Sequence, residues 1–221
     1  MVLKKRSELA EAVTESNRES VSIPAPRFDI VAIQIKGTAP LVLNRFSQKA
    51  AEKIRADQAA GSTGKSKKTR APKDFDALYE GAMYKAEEGW HGFHAASIRN
   101  AMISACRTVD FKMTLAKLSV FVEADGFDAL DSTPLVRIRS GRPEQYFAHA
   151  RNANGNFDQR IRPMWKTWSA ILRIRFDADR FTRADVVNLI SRVGQQVGIG
   201  EGRPDSKNSA GLGFGLFEIT N

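Results

Sequence analysis

The sequence predicts an α+β domain: an antiparallel sheet with two helices on one face, a thumb-like hairpin and a basic loop insertion. Apolar residues alternate in several short runs, as they do in half-buried strands. Two stretches, 94–107 and 181–198, instead repeat every three to four residues, as helices do. In chain order these read strand, helix, strand, strand, helix, strand, the split βαβ order of ferredoxin-like and RNA-recognition-like sheets.

Residues 1–27 are polar and end in "SIPAPR", whose prolines disfavour helix, so they are expected to form an N-terminal arm. The domain proper spans 28–221. "FDIVAIQIKGTAPLVLN" opens it with a strand that turns Val31, Ile33 and Ile35 one way and breaks at Gly-Thr-Ala-Pro. An insertion over 45–92 follows, helical from Phe46 to Ala60. It continues into "GSTGKSKKTRAPK", which holds five cations, no anion and no large apolar residue.

In "HAASIRNAMISACR" the residues Ile98, Ala101, Met102 and Ala105 share one helical face and Ser97 is placed to cap it, with Arg99, Asn100, Ser104 and Arg107 opposite. "LAKLSVFVEADG" (115–126) and "PLVRIRS" (134–140) read as two strands that pair. A second insertion over 140–165, rich in cations, aromatics and Asn-Gly turn signals, is expected to protrude as a hairpin. "WSAILRIRF" is a strand with Trp168, Ala170, Leu172, Ile174 and Phe176 inward and Arg173 and Arg175 on the other face. "FTRADVVNLISRVGQQVG" is an amphipathic helix capped by Thr182 and ended near Gly198. A glycine-rich loop then leads to the last strand, "FGLFEI".

The 221 residues carry a net charge of +9 and a pI near 9.8, which favours a polyanionic partner. The lone cysteine, Cys106, excludes an internal disulfide and sits where a small buried side chain belongs. No run approaches the ~18 apolar residues of a membrane span, and the first 20 residues lack a signal-peptide core. A cytoplasmic protein without a membrane partner is expected.

Catalytic parts are sparse. The histidines are His91, His94 and His149, with no HExxH, no Cys/His pairing and no close acidic cluster, so neither a metal nor another cofactor is expected. Gly64-Lys65-Ser66 lacks the first glycine, the preceding strand and the following helix of a phosphate-binding P-loop. No catalytic residue is assigned, although a histidine acting as base leaves a metal-independent endoribonuclease as an alternative. A standalone interaction protein is a third reading.

The basic residues form a more coherent set. Between positions 137 and 175 the cations include Arg139, Arg142, Arg151, Arg160, Arg162, Arg173 and Arg175, with Glu144 and Asp158 as the only counter-charges. Arginine suits bidentate phosphate contacts, and the interleaved Tyr146, Phe147, Phe157 and Trp165 offer faces on which unpaired bases can lie. Lys65, Lys67, Lys68 and Arg70 add the first basic loop, and Arg203 and Lys207 the second. There the glycines are expected to let peptide N–H groups converge on phosphates. Contact with about six phosphates would give a log–log salt slope of roughly −4.

Three segments carry a resemblance. "GFHAASIRNAMISACR" resembles the turn and first helix of the RAMP superfamily, "IKGTAPLVLN" is similar to its first strand and turn, and "GLGFGLFEI" to its C-terminal glycine-rich loop and closing strand. The nearest branch is that of the CRISPR effector backbone subunits, which coat guide RNA. The resemblance implies a modified RNA-recognition sheet with a thumb, guide-strand contacts near Ser97, Arg99 and Asn100, and thumb insertion by residues of 140–165. Arg45, which follows "IKGTAPLVLN", and His94, within "GFHAASIRNAMISACR", complete the expected contacts. It further implies side-by-side homo-oligomers along a single strand, RNA in preference to DNA, and partnership with other CRISPR effector subunits; in its light the endoribonuclease alternative would process guide RNA precursors, and the standalone interaction protein would mimic or cap a CRISPR effector complex.

Overall fold

The β-branched alternation of "FDIVAIQIKG" produces β1 (Phe28–Gly37), which buries Ile33 and Ile35 and leaves Ile30, Ala32 and Gln34 exposed. The computed structural model describes residues 23–45, 56, 74–151, 157–206 and 210–220, the side chains at 149–151 and 157–158 excepted. Most of the helix expected over 46–60 and all of the basic loop 61–73 lie outside the described residues.

After β1 come β2 (Leu41–Val42), α1 (Phe75–Gly81), β3 (Tyr84–Lys85), β4 (His91–His94) and α2 (Ala95–Ala105). A 3₁₀ turn over Cys106–Val109 precedes α3 (Met113–Ser119), β5 (Val120–Glu123), β6 (Gly126–Phe127) and β7 (Pro134–Arg137). Then follow β8 (Pro143–Arg151), β9 (Phe157–Trp165), β10 (Ser169–Asp177), α4 (Arg183–Arg192), a π turn over Val193–Val197 and β11 (Phe217–Thr220). The protein is α+β with antiparallel sheets.

The principal sheet has the order β11-β1-β10-β5, every pairing antiparallel. Ala170, Leu172, Ile174 and Phe176 of β10 face inward with Trp168, as their alternation requires. They meet Ile98, Ala101 and Met102 of α2 and Val186 and Ile190 of α4 in one core. The two helices also touch each other, which puts both on the same face of the sheet. Trp168 anchors the centre, edge-on to Phe93 and Phe217, with Nε1–H donating to Ala39 O at 2.9 Å. The side sheets are β2-β9-β8 and β3-β4-β7-β6. In the first, β8 and β9 pair as a hairpin from Pro143↔Trp165 to Arg151↔Phe157.

Three local expectations are corrected. The run 115–126 is not one strand: residues 113–119 are helical and only Val120–Glu123 extend. Short apolar runs fit both periods, and here Ala116 and Ser119 turn inward at helical spacing while Ser119 Oγ bonds back to Leu115 O. Consequently β5 pairs with β10, and only the two residues of β6 meet β7. The cap of α2 is not Ser97 but His94, whose ring accepts Ala96 N–H. α4 has the reciprocal Thr182–Asp185 capping box, and Gly198 follows its π turn at φ 70°.

Candidate functional site

Along α2, Ser97, Asn100, Ala101 and Ser104 fall at steps of three, one and three residues, so they share a helical face. That face lines a cleft of about 720 Å³. Opposite it run Ile199, Gly200, Glu201, Arg203 and Asp205 of the glycine-rich loop, and Asn44, Tyr84, Lys117 and Arg160 close the remaining sides together with His94.

His94 joins β4 to α2. Its Nδ1 accepts the Ala96 N–H at 3.0 Å, and burial pushes its pKa below the usual value, outweighing the opposite pull of Asp131. The neutral ring therefore carries its proton on Nε2, leaving it a donor and not a base.

The loop's shape comes from backbone crowding. A Cβ on Gly200 (φ 78°) would lie 2.4 Å from Val42 O, and one on Gly215 (φ 69°) 1.8 Å from Ile199 O. The N–H groups expected to cradle phosphates are largely engaged: Ile199, Glu201, Leu212, Phe214 and Gly215 donate to carbonyls of Gly215, Val42, Gly202 and Pro40. Gly200 and Gly215 therefore serve close packing, of the loop against β2 and against its own chain.

Five expected contact residues, His94, Ser97, Asn100, Arg160 and Arg203, meet in this cleft from three separate segments. Arg203 is steadied by a 3.0 Å bond to Gly200 O. The cleft is not uniformly basic. Asp205 accepts from Ser104 and pairs with Arg107 at 2.6 Å; the Ser104 hydroxyl first, then Arg107, hold its carboxyl below the usual range against the effect of burial. Glu201 pairs with Arg162 at 2.7 Å.

Other expected contacts are committed elsewhere. Arg45 is 4% exposed and bound to Asp128 and Asp131 at 2.8 and 2.7 Å. Arg99 donates to the carbonyls of Val120 (2.9 Å) and Lys117 (2.5 Å) and lies over the Phe121 ring, so it ties α2 to the α3–β5 junction. On the open face of the principal sheet Arg173 pairs with Asp125. Arg175 pairs with Glu123 and is stacked on Phe28 and Phe121. Carboxylates on β5 and just beyond it thus pair with the two arginines that were expected to make this face cationic. Arg162 is held by Glu201, and Trp165, expected as a stacking surface, is 1% exposed. Arg139 and Arg142 are exposed but do not line the cleft. Lys65, Lys67, Lys68, Arg70 and Lys207 lie outside the described residues, as do the side chains of Arg151 and Phe157.

Asn44, Lys117 and Glu201 were not anticipated. Lys117 sits in a run whose alternation favours a strand, Asn44 closes the segment "IKGTAPLVLN" without a functional signal of its own, and Glu201 carries no motif that would single it out. Among the described residues no group of three or more His, Cys, Asp or Glu could hold a metal, and no helix is long and apolar enough to cross a membrane. No family model and no curated protein matches this chain.

Proposed function

We propose that this protein is a non-catalytic subunit of the RAMP type that binds single-stranded nucleic acid, RNA by preference, in the cleft between α2 and the glycine-rich loop. The observation that carries this reading is the convergence of His94, Ser97, Asn100, Arg160 and Arg203 on one cleft. Lys117, Arg160 and Arg203 provide cations for phosphates, and Ser97, Asn100 and His94 Nε2–H provide neutral donors.

The strand order β11-β1-β10-β5, with α2 between β1 and β5 and α4 between β10 and β11, supports a ferredoxin-like assignment and with it the RAMP kinship. In this reading copies assemble side by side along the strand in the cytoplasm, in company with other CRISPR effector subunits, and the β8–β9 hairpin acts as the thumb. The endoribonuclease alternative has less support at His94, whose Nδ1 lone pair is engaged by the Ala96 N–H; His91 packs edge-on against Trp165 and does not line the cleft, and the side chain of His149 lies outside the described residues.

Anisotropy of a labelled single-stranded RNA, titrated at several salt concentrations, tests the proposal. Three cleft cations predict a log–log slope of about −2, shallower than the roughly −4 expected from contact with about six phosphates. Absence of binding, or a slope near zero, would overturn it.

A further inference from the structure

Glu201 places a carboxylate in a cleft that the preceding reading assigns to a polyanion. Its position is firmly set. The Glu201 N–H donates to Val42 O at 2.8 Å, and Arg162 Nε donates to Oε2 at 2.7 Å. Arg162 is itself 13% exposed and donates through Nη1 to Ile161 O. Among the described residues Oε1 accepts no hydrogen bond, whereas both oxygens of Asp205, the other cleft carboxylate, are taken by Arg107 and Ser104.

A fixed carboxylate oxygen of this kind repels a phosphate and accepts a proton donor. On a single strand the donors are the ribose 2′-hydroxyl and base N–H groups. Only the hydroxyl is identical on every ribonucleotide, so only it matches a site whose other contacts carry no base preference. We propose that Glu201 Oε1 accepts the 2′-hydroxyl of a bound ribonucleotide and so makes the cleft selective for RNA over DNA. Arg162, which engages Oε2 and so fixes the carboxylate, is a positioning residue.

The inference rests on the strand-binding reading, and the test separates the two. Anisotropy titrations of the full chain use oligoadenylates of one length with ribose, deoxyribose or 2′-O-methylribose. The expected result is about ten-fold tighter binding of the ribose strand than of either other strand, the size of one hydrogen bond to a charged acceptor. The Glu201→Ala variant removes the acceptor outright and is expected to lose that preference and bind all three strands alike; glutamine would not serve, because its NH₂ could donate to the hydroxyl oxygen in turn. Equal binding of all three strands by the natural protein overturns the inference while leaving strand binding intact. So does 2′-O-methyl RNA binding as tightly as RNA, since helix shape and not the donor is then read, or an unchanged preference in Glu201→Ala. Failure of every strand to bind overturns both.

Discussion

Arg45 Nη2 lies 2.8 Å from Asp128 Oδ1, with the two side chains 4% and 1% exposed. Asp128 also accepts the N–H groups of Lys85 and Leu130, so this carboxylate fastens the β3 edge to the turn after β6. Removing the arginine strands a buried charge. Arg45→Met is expected to cost about 3–5 kcal/mol in urea unfolding and to leave RNA affinity unchanged where the protein remains folded. An affinity loss without a stability loss would return Arg45 to the binding surface.

Asp131 shares that arginine. Burial alone would raise its pKa, but hydrogen bonds from Thr133 and Arg45 outweigh it and hold the carboxyl at about 2. A carboxyl depressed on folding contributes stability above its unfolded value, near 4, and loses that contribution as the pH falls toward 2. Melting temperatures from pH 5 to pH 2 should therefore fall less steeply in Asp131→Asn than in the natural protein.

His94 gives a second, milder pH dependence of opposite chemistry. Its folded pKa lies below the usual value, so below about pH 6.5 the unfolded chain binds a proton that the folded one refuses, and stability drops on acidification. Asn is a competent cap and does not titrate. His94→Asn should keep α2 capped and flatten the decline in thermal stability between pH 7 and 5, with His91, also lowered by burial, accounting for the remainder.

Two glycines of one loop should respond differently to alanine. Gly215→Ala meets Ile199 O at 1.8 Å and forces the chain apart, whereas Gly213→Ala finds nothing within 4 Å and incurs only the conformational cost of φ 75°. Thermal denaturation should show a loss of about 1 kcal/mol at Gly213 and at least ~3 kcal/mol at Gly215. Similar losses at both positions would mean that backbone conformation, not crowding, dictates the loop.

Arginine substitutions should separate the cleft from the sheet face. Arg160→Ala is expected to weaken single-stranded RNA binding by about 1 kcal/mol. Arg173→Ala, which removes a cation paired with Asp125, should not weaken it. Arg99→Ala should lower stability, because its two carbonyl contacts join α2 to the start of β5. Ile190→Ala, wholly buried, should cost roughly 2–5 kcal/mol without altering the cleft. Anisotropy and urea titrations on the same preparations distinguish the four.

Legibility followed how local the governing physics is. The inward set of β10 and the Thr182 cap of α4 were readable because side-chain alternation and capping depend on neighbours one to four residues away. The helical character of 113–119 was not, since so short an apolar run satisfies both periods until packing chooses. Within the cleft, Ser97 and Asn100 were visible through a short motif. Glu201 was not, because its meaning arises from Arg162, 39 residues away in sequence.

The amino-acid order by itself determined the helices at 95–105 and 183–192, the apolar faces of β1, β10 and α4, and the excess of positive charge, all set by local spacing and composition. Which cations remain available to a ligand was decided only in three dimensions. An arginine's electrostatic effect depends on the carboxylates that folding brings within about 3 Å of it, and for Arg45, Arg162, Arg173 and Arg175 those partners come from distant strands, turns and loops. Tertiary packing thus moved the candidate site from the open sheet to the cleft beside α2.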